Sequence, residues 1–176
     1  MLFEAEFSKE IERQIAEKAS NKNKSLVINF RKKIEKENVE EDNYIIKPLE
    51  DIVKNQFDIQ QHLIISEKCT ITNQLNMVGY RKEAGELSEG LSLGCVFHYK
   101  NKRRGVKSQV SLRYFHTDDF ASGIYFQEAA VNTSATNVLV YGKGQSVAAL
   151  ITFNIAKSLE LDFKFTWLAY NGKHDI

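Results

Sequence analysis

The strongest pattern in the chain is an alternation of apolar and polar residues with a period of two. Leu159, Leu161, Phe163, Phe165 and Trp167 are interleaved with Glu160, Asp162, Lys164 and Thr166. Successive side chains of an extended strand point to opposite faces, so this stretch presents one apolar and one polar face. Val147, Ala149, Ile151, Phe153 and Ile155 repeat the pattern just upstream, and Ala156-Lys157-Ser158 is short enough for a hairpin turn. The two strands are therefore expected to be antiparallel neighbours. Leu91, Leu93, Cys95, Phe97 and Tyr99 run into a polar turn at 101–105, from which Val110, Leu112 and Tyr114 return. Phe57, Ile59, Leu63 and Ile65 lead through Ser66-Glu67-Lys68 to Ile71, Leu75 and Met77, with Gln61 and Asn73 interrupting the apolar parity. Leu26, Ile28 and Phe30 predict an earlier strand after a turn at 21–24. Residues 3–19 fit both a helical stripe (Phe3, Phe7, Ile11, Ile15) and a single strand parity, and their charged, Ala-containing composition favours a short N-terminal helix.

Short and long connections alternate along this meander. The segments 21–24, 66–68, 101–105 and 156–158 are short, whereas 38–55, 81–90 and 116–122 are longer polar stretches, and Gly142-Lys143-Gly144 makes a small loop. Tight turns at one end and long loops at the other are the layout of an outer-membrane β-barrel. Soluble up-and-down barrels and sandwiches share it. Strand length separates the two, because crossing a bilayer takes about 9–11 tilted residues whereas strands of soluble proteins are most often about 5–6. Several runs here are of the longer kind. Trp167 and Tyr170, like Phe97 and Tyr99, stand where an aromatic girdle would lie, a position that ordinary core aromatics fill equally well.

Composition narrows the function classes. At 176 residues one domain, 1–176, is expected. With 24 Lys+Arg against 23 Asp+Glu the net charge is +1, so the basic excess that signals nucleic-acid binding is missing. The N-terminus has no basic and apolar leader, and no apolar run approaches the ~20 residues of a membrane helix. Only a short polar stretch follows the apolar strand at 159–167, where a hairpin barrel would need another strand to close. We therefore expect the chain to be part of a longer one, in which case the missing leader says little about compartment.

One segment resembles a known family. Residues 114–128 read Tyr-Phe-His-Thr-Asp-Asp-Phe-Ala-Ser-Gly-Ile-Tyr-Phe-Gln-Glu. They resemble the outer-membrane β-barrel region that follows helix-hairpin-helix repeats in long bacterial surface proteins, where Thr-Asp-Asp-aromatic-Asp-Ser-Arg-Ile-Tyr is followed by Glu. Thr117, Asp118, Asp119, Phe120, Ser122, Ile124, Tyr125 and Glu128 match, while Ala121 and Gly123 stand where the family has Asp and Arg. Tyr141-Gly142-Lys143-Gly144 and the hairpin ending at Trp167 are similar to further elements of that family. The resemblance covers about residues 90–175. It implies a barrel inserted by the barrel-assembly machinery into the outer membrane of a Gram-negative bacterium, and no catalytic residue carries over from it.

Chemical constellations are sparse. His62, His98, His116 and His174 form no i, i+4 pair, and His98 has the opposite strand parity to Cys95. Cys69 and Cys95 allow one disulfide at most. Asp118 and Asp119 with His116 and Glu128 offer oxygen ligands for Ca²⁺, although loop-forming Asp residues explain them more simply. The basic turn at 102–104 reads as a solvated turn that could touch anionic headgroups. The nucleophile elbow, the phosphate loop and the dinucleotide-binding glycine fingerprint are all missing from the sequence. The expectation is thus an all-β antiparallel up-and-down meander, part of a transmembrane β-barrel, with no catalytic, metal or cofactor residues. Its role would be structural or anchoring, with transport as the other use of such a barrel. Val147, Ile151, Phe153, Leu159, Leu161, Phe163, Phe165 and Trp167 would face outer-membrane lipid. The alternative is a soluble β-barrel or sandwich, cytoplasmic or periplasmic, that binds a lipid, sugar or protein ligand.

Overall fold

The structure is a computed structural model that describes residues 17–21, 23–38, 49–82, 85–128, 136–156 and 159–171. Ten strands are seen among them: β1 Glu17–Asn21, β2 Lys24–Asn38, β3 Leu49–Ile64, β4 Cys69–Lys82, β5 Leu87–Asn101, β6 Val106–Thr117, β7 Ile124–Glu128, β8 Thr136–Val140, β9 Lys143–Ala156 and β10 Leu159–Tyr170. Eight of them form one antiparallel sheet in the order β1-β2-β3-β4-β5-β6-β9-β10, and β7 and β8 pair as a separate hairpin. The chain is all-β, as the alternation requires. Among the described residues β1 and β10 are each paired on one side only, so the sheet is open and not a closed barrel.

Several boundaries differ from the sequence expectation, for one common reason. Segment 38–55 was expected to be a loop, yet β2 runs to Asn38 and β3 starts at Leu49, with Ile34 opposite Val53 and Glu35 opposite Ile52. Segment 81–90 likewise shrinks, since Arg81 pairs with Leu87 and Gly79 with Glu89. Ladder pairing to a neighbour extends strands through polar residues that carry no alternation signal of their own. The same effect overrides helix propensity at 17–19, which pair with β2 as strand β1. The rest of the expected helix, and residues 157–158 of the last turn, lie outside the described residues. The turns at 66–68 and 101–105 are where the pattern placed them.

The register preserves the alternation across the whole sheet. One row of opposed residues reads Ile28, Ile59, Leu75, Leu93 and Tyr114, and another on the same face Leu63, Ile71, Phe97, Val110, Ala149 and Phe165. Every apolar run read from the sequence therefore falls on one face. A one-residue slip in any pairing would turn that strand's apolar set to the other side.

Burial on the two faces is inverted relative to an ordinary globular sheet. Leu91, Leu93, Phe97, Leu112, Phe163 and Trp167 are exposed, whereas Ser88, Ser92, Arg113, Thr117, Ser146 and Thr152 are buried. The reason is the β7–β8 hairpin, a unit that the alternation did not reveal. The connection from β6 to β9 folds back over the polar face, where Ile124, Phe126 and Val140 meet Phe115 and Val78 in a small core, flanked by Val138 and Tyr170. Phe115 and Tyr170 meet edge to face with ring centroids 5.6 Å apart. Gly90 permits this approach, because a Cβ there would lie 2.4 Å from the carbonyl oxygen of Ser122.

Phe115 is fully buried, and truncating it leaves a cavity that neighbouring strands cannot fill. Phe115→Ala should cost about 3–5 kcal/mol, read as a lower denaturation midpoint at unchanged slope. Tyr125→Ala, on the exposed side of the hairpin, should stay within about 0.5 kcal/mol of wild type.

Candidate functional site

The two faces of the sheet are the features able to carry a function, and they differ in chemistry. On the apolar face, the eight residues expected to face lipid lie together. Val147 is opposite Trp167, Ile151 opposite Phe163 and Phe153 opposite Leu161, with Phe165 and Leu159 completing the β10 row. Phe163 is 58% and Phe165 61% exposed, and Phe153 meets Phe163 edge to face at 6.2 Å. An aromatic side chain carries about 150–250 Å², so the three aromatics of β10, at roughly half exposure, already approach the 300–600 Å² of a typical largest surface patch. The apolar face continues from there across five more strands.

Two polar residues on this face, Gln61 and Asn73, are directly opposed, and Asn73 Nδ2 donates to Gln61 Oε1 at 3.1 Å. Each amide thus meets part of the other's hydrogen-bonding need, which lowers the cost of apolar surroundings. The pair lies in an open groove of about 760 Å³ across the face, lined also by Leu26, Leu75, Leu93, Cys95 and Leu112.

The polar face carries a hydrogen-bonded network centred on Arg113, with separate pairs beside it. Arg113, 7% exposed, donates from Nη1 to Asn76 Oδ1 (3.1 Å) and Ser92 Oγ (3.0 Å) and from Nη2 to Gln74 Oε1 (2.6 Å). Its guanidinium lies 4.1 Å from the centre of the Phe126 ring. Room for it comes from Gly94, whose added Cβ would lie 3.2 Å from the guanidinium carbon. Asn76 Nδ2 passes the network to Asp58 Oδ1 (2.7 Å), and Gln56 Nε2 donates to the other carboxylate oxygen, Asp58 Oδ2 (3.0 Å). His62 Nδ1 and Thr72 Oγ1 share a hydrogen bond of 3.0 Å, and Thr152 donates to Asp162 at 2.5 Å. Among the described residues no buried side-chain nitrogen or oxygen lacks a partner. Sequence reading did not single out Arg113, Asn76, Asp58 or Ser92. Their signal was the complementary parity, the polar residues lying between the apolar ones.

The loop resembling a known family is a compact knot. Thr117 Oγ1 donates to the Asp119 carbonyl (3.1 Å) and accepts from the Gly142 amide (2.7 Å), tying the two ends of the β7–β8 excursion together. Asp118 accepts from the Glu89 amide at 2.8 Å, and Asp119 accepts from Ser88 Oγ at 2.6 Å and the Ser122 amide at 3.1 Å. Phe120 packs edge to face on Tyr141 at 5.4 Å. Ile124 enters the core, Tyr125 is exposed, and Glu128 is buried in an ion pair with Lys164 at 3.0 Å. A Ca²⁺ site on Asp118, Asp119, His116 and Glu128 does not assemble: Asp118 and Asp119 bind Ser88, Ser122 and the Glu89 amide, while Glu128 turns to Lys164. Among the described residues no group of three or more His, Cys, Asp or Glu is placed to hold a metal. Cys69 and Cys95 are free thiols. Lys102, Arg103 and Arg104 are exposed at the opposite, turn end of the sheet.

Comparisons with protein-family models, curated proteins and solved structures find no match to this chain. The faces and the loop therefore carry the functional reading by their chemistry.

Partial burial tends to raise the Asp119 carboxyl pKa, but hydrogen bonds from Ser88, Ser122 and the Ala121 amide outweigh it and hold the pKa below its ordinary value. A carboxylate depressed in the folded state stabilises the fold at pH above its unfolded value of about 3.9 and loses that contribution as pH falls through the folded pKa. The Ser122 and Ala121 amide resonances should therefore titrate with a midpoint below about 4. The transition should vanish in Asp119→Asn, and a midpoint above the unfolded value would contradict this assignment.

Proposed function

We propose that this chain forms wall of an outer-membrane β-barrel in a Gram-negative bacterium, with a structural or anchoring role and no catalytic chemistry. The apolar face would contact lipid, and the polar face would line the interior. The observation that carries this reading is the inverted burial: serines and an arginine are enclosed while a continuous row of Leu, Phe and Trp is left outside. Water penalises such a surface at about 25 cal/mol per Å², whereas hydrocarbon does not. The apolar runs 147–155 and 159–167 are each about nine residues long, matching the 9–11 tilted residues that cross a bilayer. A hydrogen-bonded Gln61–Asn73 pair and a polar opposite face suit the same setting. The resemblance of residues 114–128 to outer-membrane barrel regions agrees, and it makes the barrel-assembly machinery the expected partner during insertion.

A second reading is favoured by one observation, the groove of about 760 Å³ on the apolar face. In it the chain is a soluble module that curls this face inward around an apolar ligand.

Phe163→Arg should weaken insertion by about 2–4 kcal/mol if that residue lies near the bilayer midplane, whereas Thr166→Arg, on the other face of the same strand, should leave insertion intact. Flotation of the refolded chain with liposomes measures both. Equal flotation of the two variants, or a wild-type chain that stays monomeric in detergent-free buffer, would favour the soluble module.

A further inference from the structure

The connection between β6 and β9 does not project away from the sheet as a loop at a barrel mouth would. It turns through the 117–122 knot and runs back along the polar face. Successive inward side chains of β7 descend that face: Ile124 packs with Phe115, Phe126 lies over Arg113, and Glu128 pairs with Lys164. In the register, Phe115 is level with Gly144 and Tyr170, Arg113 with Ser146 and Leu168, and Lys164 with Leu150 and Gln109. From the level of Phe115 to that of Gln109 is about six residues along β6, roughly 20 Å at the rise of a β-strand. The hairpin thus covers about half the length of the strands beneath it.

The burial it produces is that of a packed interior. Ser92 is fully buried beneath the hairpin, and the Glu128 carboxylate at the end of β7 is only 6% exposed. The far end of β7 is held by charge, and the base of the hairpin by the Thr117 Oγ1 bridge between the Asp119 carbonyl and the Gly142 amide.

We propose that the β7–β8 hairpin is an internal plug: a segment that occupies the barrel interior and closes it to solutes. This rests on the barrel reading, which makes the polar face the wall of the interior. An eight-stranded barrel has an interior just wide enough for its own side chains. A two-stranded hairpin inside therefore calls for a wider wall, which copies of this sheet joined edge to edge through β1 and β10 would supply, and which would conduct if it were left empty.

The test uses the full chain reconstituted in liposomes loaded with a small polar solute, alongside two variants. One replaces residues 124–140 with a short Gly-Ser linker; the other, Glu128→Lys, sets like charges against each other at the end of β7 without deleting anything. Each is also made with Ser92→Cys in a background of Cys69→Ser and Cys95→Ser, and exposed to a water-soluble thiol reagent. The plug predicts that the full chain retains solute and protects position 92, while both variants release solute and become labelled. A full chain that leaks and labels as readily as the variants overturns the plug and leaves the barrel standing. A full chain that does not insert at all overturns the barrel reading itself, and the plug with it.

Discussion

The structure depends on one constraint: a fixed register that keeps every apolar residue of a two-residue alternation on the same side of an eight-stranded sheet. Side chains of a strand can point only two ways, so aligning seven strand pairings in phase produces a continuous apolar surface on one side and a polar one on the other. Each face then finds its own solution. On the polar side the chain supplies a hairpin of its own, whose Phe126 and Ile124 cover what would otherwise be wet, and whose Glu128 neutralises Lys164. On the apolar side the described residues supply no cover.

That asymmetry decides how the polar groups behave. Arg113 is enclosed without a carboxylate of its own, yet three neutral oxygens and an aromatic face receive its donors, and Asn76 links it onward to Asp58. A buried guanidinium left unpaired would be strongly destabilising, so the network is a condition of the fold. The Gln61–Asn73 pair shows the same logic on the other face. Two amides placed among Leu, Ile and Phe are tolerated because the register sets them opposite each other.

Much of this was legible in the sequence, and what was not has physical causes. The long strands from Phe57 onward, the turns at 66–68 and 101–105 and the shared face of Val147 to Trp167 follow from period-two alternation alone. Hidden were the polar extensions of β2 and β3, where Glu35 and Lys36 join a ladder only because Ile52 and Asp51 face them. Hidden too was the β7–β8 hairpin, since five residues such as 124–128 give too short a run to separate a strand from a loop. The same holds for the interior network, because residues such as Ser92 and Arg113 read as a solvated face until a covering element is known. The segment 117–128 launches that element through the Thr117–Asp119 knot, a direction that no alternation in the sequence encodes.

In the proposed barrel the apolar face meets lipid. Trp167 is the single tryptophan of the chain and lies on that face, opposite Val147. Its fluorescence can therefore report the surroundings directly, after the chain is folded into vesicles whose acyl chains carry bromine. Contact with lipid gives blue-shifted emission, quenched by the brominated chains and shielded from aqueous iodide. Emission that is quenched by iodide and indifferent to the brominated lipid would contradict it.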